Sequence, residues 1–294
     1  MKLYPCMESR NDNKCIPLFP ISVPDQNILS KKYKINFCLI SKNFSTKMRQ
    51  IYCYLERPIL FARNKNNNKR LHKLCDPLKK SNKVSLNKAS RMNKTNTTTF
   101  LNTYQHVVVV RDPIERFVSG WSYVCAITKF WKQDKRNCLG CKNNLVCFIN
   151  ALYNKVFKSA KYSFILKEPK FMEDHFYPQS WRCGVNKYKN RTKLLLYGSS
   201  KETQVKFFKE LTTLLQQRHV PKKQLTFITK NILGQRSGHT TIGKKERLMV
   251  EKKIYSNKTL VNILVKIFYN DYIAFDLKFP KQNIDLESVK IITA

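Results

Sequence analysis

The sequence predicts an α/β protein: a mostly parallel sheet with helices on both faces. Three observations carry that expectation. Val107 to Val110 is an unbroken valine run, as in a parallel strand buried on both sides. Short apolar runs alternate with longer segments whose apolar residues recur at three- and four-residue intervals. No internal repeat interrupts the alternation, and strand-then-helix order along one chain implies a sheet layered between helices.

Residues 1–34 carry Pro5, Pro17, Pro20 and Pro24 and read as an irregular lead-in. Ile35 to Ile40 reads as a short buried strand, followed by the polar turn Ser41-Lys42-Asn43. From Ser45 to Leu55, Met48, Ile51, Tyr52 and Leu55 fall at helical spacing, with hydroxyls at the start where they would cap free N–H groups. Residues 62–99 are rich in Lys, Asn and Thr, lack periodicity, and read as a long insertion. Gln105 to Val110 is the next strand. Its helix follows at once, with Pro113 in the first turn and Ile114, Phe117, Val118, Trp121, Val124 and Cys125 on one face. Helices are expected over Leu145–Ser159, Glu202–Arg218 and Lys258–Tyr272, and a further strand over Lys193–Tyr197. The expected organisation is a lead-in over 1–34, one catalytic-sized domain over 35–277, and a tail over 278–294.

The chain holds 56 Lys plus Arg against 19 Asp plus Glu, a formal charge of +37. Such a field draws polyanions: nucleic acid, an anionic membrane, or an acidic polysaccharide. No zinc finger, basic zipper or RNA-recognition signature accompanies the charge, so nucleic acid is not the expected partner. Part of it is a general mixture of Lys and Asn in probable loops, such as Asn64 to Arg70. Ten cysteines favour an oxidising compartment, with Cys125, Cys138, Cys141 and Cys147 clustered as disulfides, a zinc site or unpaired thiols. N-x-[ST] triplets begin at Asn43, Asn93, Asn96, Asn190 and Asn257, which an Asn-rich chain produces readily by chance. No apolar run is long enough to cross a bilayer and the first residues lack a signal-peptide core, so a membrane anchor is expected upstream of this sequence.

Two units point to chemistry. A strand, a short loop and a helix start build an anion site from backbone N–H groups and the helix dipole. Here the loop is Ser41-Lys42-Asn43-Phe44-Ser45-Thr46, and it is not a Walker A loop. In the second unit Arg111 leaves the valine strand at its carboxyl end and Ser119 lies two turns into the following helix. Ligands bind outside the carboxyl ends of parallel strands, and a guanidinium fork beside a hydroxyl suits a phosphate monoester. Both units open toward one edge.

These residues resemble the sulfotransferase motifs. Lys42-Asn43-Phe44-Ser45-Thr46 is similar to the 5'-phosphosulfate loop, and Arg111-Asp112-Pro113-Ile114-Glu115-Arg116-Phe117-Val118-Ser119 to the 3'-phosphate motif. The cluster Cys125…Cys147, His175-Phe176-Tyr177-Pro178…Trp181-Arg182-Cys183, Gly198-Ser199-Ser200, Gly238-His239-Thr240-Thr241 and Tyr269-Asn270-Asp271-Tyr272 resemble the chondroitin-type Golgi carbohydrate branch, most nearly its nematode members. The likeness spans about residues 20–277. It departs at Ser41 and Phe44, where the family often has Pro and Gly.

The resemblance implies a P-loop-like sulfotransferase fold and 3'-phosphoadenosine 5'-phosphosulfate as co-substrate, with no metal. It further implies a glycosaminoglycan or related glycan as acceptor, with chondroitin 4-O-sulfation as the expected reaction, and a Golgi location through an anchor. The donor-binding residues it implies are Lys42, Asn43, Ser45, Thr46, Lys47, Arg111 and Ser119. Lys42 is the expected catalytic cation, His175 the expected base and His239 the next candidate; His72, His106 and His219 are expected to be inert. Trp181 is a candidate sugar-stacking ring, and Trp121 is expected in the core. The alternative function is a catalytically degenerate binder of glycosaminoglycans.

Overall fold

The structure, a computed structural model, describes residues 15–18, 26–65, 67, 70–71, 74, 85–161, 170–235 and 240–281. Its sheet holds β1 (Asn27–Ser30), β2 (Ile35–Cys38), β3 (Gln105–Arg111) and β4 (Thr192–Tyr197), side by side in that order. β2, β3 and β4 run parallel, with Phe37 opposite Val107 and Val108 opposite Leu194; β1 is antiparallel to β2. The mostly parallel α/β arrangement is therefore as expected.

Alternation along the strands splits the sheet into two buried faces. Ile35, Phe37, Val107, Val109 and Leu195 belong to one core, shared with α1 (Ser45–Glu56) and α8 (Lys201–Gln217). Cys38, Val108 and Val110 face the other way, toward Val185 and Phe275. A separate helical core joins α5 (Pro113–Trp121), α6 (Leu145–Lys161), α9 (Lys245–Tyr255) and α10 (Lys258–Ala274). At its centre Phe148 and Phe176 meet edge-on at 4.7 Å, with Phe117 about 6.0 Å from each. No helix of the described residues is long and apolar enough to cross a membrane.

Two expectations are corrected. The lead-in is not irregular throughout, because β1 lies inside it. Four residues are too few to show period-two alternation, and β1 is fixed by pairing, not by pattern. The 62–99 insertion is not a plain loop either. It begins inside α2 (Pro58–Asn64), contains α3 (Leu86–Met92) and ends inside α4 (Thr97–Thr103). Ser85 and Asn96 cap the latter two, each accepting a backbone N–H. Leu86, Ala89, Phe100, Leu101 and Tyr104 then form a small core of their own. Residues 75–84 lie outside the described set.

The cysteine cluster resolves into disulfides. Cys125 pairs with Cys138 and Cys141 with Cys147, so the Cys138–Cys141 spacing serves two separate bridges and not a zinc site. A third bridge joins Cys38 to Cys183, and Cys15 and Cys53 are also disulfide-bonded. None of the described cysteines is free.

Candidate active site

The loop between β2 and α1 turns tightly without glycine. Lys42 (φ 70°) and Phe44 (φ 60°) both adopt the left-handed conformation, which costs about 1–2 kcal/mol for a residue with a Cβ. Its surroundings hold it there. The Phe44 ring packs against Tyr197, Phe207 and Phe208 at 4.9, 5.1 and 5.9 Å. Asn43 is buried and donates to the Val109 carbonyl (2.9 Å) and to Gln179. Arg116, itself fully buried, donates from Nε to the Ser41 carbonyl (3.0 Å), and Arg111 Nη1 donates to the Lys42 carbonyl (3.2 Å). The N-cap position is Phe44, with no side-chain cap; the hydroxyls of Ser45 and Thr46 line the cleft instead of closing the helix end.

The second unit is conventionally built. Asp112 caps α5 by accepting the Glu115 N–H at 2.8 Å, and Pro113 occupies its first turn. Arg111 Nη2 donates to Glu115 Oε1 (2.8 Å) and to Ser199 Oγ (2.7 Å). Glu115 also lies 3.5 Å from Arg247, which pairs at 2.6 Å with Glu251. One helix turn past Arg116, Ser119 receives a hydrogen bond from Thr241 (3.4 Å).

His175 lies on α7 (Lys170–Phe176) and lines the same cleft. Its Nδ1 is 2.7 Å from the Phe171 carbonyl, which can only accept, so Nδ1 carries the proton and Nε2 keeps its lone pair. Burial, and next the Lys42 charge, push its pKa down to about 3, so it is neutral. Burial, followed by the charges of Arg111 and Arg116, pushes Lys42 down to about 7.

These groups meet in a cleft of about 870 Å³ outside the carboxyl ends of β2, β3 and β4. Its lining includes Lys42, Lys47, Arg49, Arg111, Lys201 and Arg247, against Asp174 as its acid among the described residues. Arg111 Nε and Arg247 Nη1 are buried with no hydrogen-bond partner in the structure, which fits a site awaiting anionic oxygens.

Of the residues expected at the site, Lys42, Ser45, Thr46, Lys47, Arg111, Ser119 and His175 come together in the cleft. Asn43 does not reach it; its side chain is spent holding the loop. His239 lies outside the described residues, although Thr240 and Thr241 beside it line the cleft. Trp181 is a correction: it is buried in the helical core, edge-on to Tyr177 at 5.8 Å, and is not placed to stack on a sugar, while Trp121 is in the core as expected. His106 is buried within β3, bonded to Asn36 and to the Cys183 carbonyl. Arg116, Gln179, Ser199 and Arg247 were missed. Arg116 and Ser199 lie inside motifs named above, whereas Arg247 and Gln179 act across long sequence separations that leave no local pattern.

The model of the sulfotransferase family matches residues 25–278. The chain is similar to carbohydrate sulfotransferase chst-1 of Caenorhabditis elegans, 29% identical over 266 residues, covering 89% of this chain and 78% of the relative. It is likewise similar to protein C18B2.2 of the same worm, 27% identical over 286 residues, covering 92% and 74%. No solved structure matches. With the family model spanning the whole sheet, both anion units and the helical core, the chain belongs to the sulfotransferase family and is a sulfotransferase enzyme.

Proposed function

We propose that the protein moves a sulfuryl group from 3'-phosphoadenosine 5'-phosphosulfate to a glycan hydroxyl in the Golgi lumen, with chondroitin 4-O-sulfation as the specific reaction. The observation that carries the reading is the pairing of two anion units in one cation-rich cleft, the Lys42 loop on one side and Arg111 with Ser119 on the other. The donor is implied by the family, and the glycan acceptor is suggested by the name of chst-1. The disulfides favour a luminal setting.

When bound, the donor supplies the sulfuryl group and a phosphate leaving group. Arg111 and Ser119 hold the 3'-phosphate, separating this donor from ordinary adenine nucleotides. Ser45, Thr46 and the uncapped start of α1 hold the 5' side. Lys42 places positive charge where negative charge grows on the leaving oxygen. His175 takes the acceptor's hydroxyl proton at Nε2, the nitrogen that the Phe171 contact leaves unprotonated.

The test is incubation with donor carrying labelled sulfate and desulfated chondroitin, followed by disaccharide analysis. Label at the 4-O position of galactosamine is the expected result. Label elsewhere on the polymer would overturn the position, and tight polymer binding with no transfer would select the degenerate-binder alternative.

A further inference from the structure

We propose that Tyr123 is a positioning residue whose ring face seats the Lys42 ammonium before the donor arrives. The inference rests on the donor reading of Lys42 given above. Lys42 Nζ sits 3.9 Å from the centroid of the Tyr123 ring, and both side chains line the cleft. The other charged or titratable groups facing Lys42 are Arg111 at the end of β3, Arg116 on α5, and His175 on α7. Asp174, beside His175, is engaged by Arg182 at 3.2 Å and by Gln26. None of the ion pairs among the described residues includes Lys42. The ammonium is thus surrounded by repulsion, and an aromatic face is the attractive partner the structure gives it.

The ring is itself held. At the end of α5 the chain widens into a π-helical turn, Ser122–Ile127, a form that often re-aims side chains at functional sites. Thr128 Oγ1 donates to the Tyr123 carbonyl at 2.6 Å, and Phe130 meets the ring edge-on at 6.2 Å. Tyr123 lies one turn past Ser119, so one helix carries both the 3'-phosphate hydroxyl and the seat for the 5'-side lysine.

The seat has a measurable signature. A π face favours the charged lysine, so replacing it with an aliphatic cover drops the Lys42 pKa below about 7. Calorimetry of adenosine 3',5'-bisphosphate binding, run between pH 6 and 9 in buffers of different ionisation enthalpy, counts the protons taken up. Wild type should take up a fraction rising through about pH 7 toward one proton, and Lys42→Arg should take up none there. Tyr123→Leu should move the rise to lower pH and weaken binding at pH 7.5 by about 2- to 30-fold. Tyr123→Phe, which keeps the face, should match wild type. If the leucine variant does not fold, Tyr123→Trp tests the same point in the opposite direction, moving the rise to higher pH. A Tyr123→Leu protein titrating like wild type, or a Tyr123→Trp protein with an unmoved rise, overturns the seat. Wild-type protein that does not bind the bisphosphate overturns the donor reading itself, whatever Tyr123 does.

Discussion

The two loops that meet in the cleft are made on opposite terms. The loop carrying Lys42 has two non-glycine residues in left-handed backbone, no side-chain helix cap, and an ammonium crowded by two guanidiniums. The turn carrying Arg111 has its cap, its proline, and a carboxylate and hydroxyl matched to its guanidinium. On the proposed roles, a group that recognises a phosphate can hold most of its partners before the ligand comes, with Arg111 Nε left over for it. On the same proposal, a group that answers charge appearing during the reaction is kept short of partners, and Phe44, Asn43 and Arg116 hold its strained loop in place.

The largest expected effect separates chemistry from recognition. His175→Ala should lower kcat about 10²- to 10⁴-fold with bisphosphate affinity unchanged. A normal kcat with a raised acceptor KM would make His175 a binding residue. Arg111→Ala should do the reverse, weakening the bisphosphate by roughly 30- to 1000-fold, or about 2–4 kcal/mol, as calorimetry would show. Equal affinity would remove Arg111 from the site. Next, Lys42→Met should stabilise the donor-free protein near neutral pH. A lysine whose folded pKa is about 7 against an ordinary 10.5 carries a penalty that is absent above 10.5, grows as pH falls, and is complete below about 7. Because the side chain is only half-buried, solvent screening reduces the gain to about 1–2 kcal/mol; denaturant melts at pH 7 and pH 10 would show most of it at the lower value. The smallest effect tests the backbone. Phe44→Gly should be less destabilising than Phe44→Ala by about 1 kcal/mol, because φ 60° suits glycine while both variants lose the same ring contacts. The opposite order would mean that the turn is unstrained.

The contrast between the loops also marks what could be read from sequence. The Arg111 unit was legible because its signals are local: a valine run, Asp-Pro at the helix start, and a serine at helical spacing. The Lys42 loop was legible in its residue types but not in its backbone, since nothing in Ser41-Lys42-Asn43-Phe44 announces two left-handed residues. Asn43 shows the limit of motif transfer, being matched by position yet turned inward to Val109 and Gln179. β1 was illegible because four residues are too few to show a pattern and pairing with β2 decides it, whereas the Trp181 environment is set by a core assembled from helices far apart in sequence. The small core around Phe100 and Tyr104 hid behind Lys and Asn, which dominate composition there while a few apolar residues do the packing.

The Cys38–Cys183 bridge spans 145 residues, whereas Cys125–Cys138 and Cys141–Cys147 span 13 and 6. A chain emerging N-terminus first presents Cys38 long before its native partner exists. Cys53, Cys125 and Cys138 all appear in the interval and offer shorter, entropically easier rings. Native pairing of the strand before the Lys42 loop with the segment beyond His175 is therefore expected to rely on thiol–disulfide exchange after the chain is nearly complete. The maturation of this protein is expected to be slow, assisted by isomerases, and limited by that single late bond.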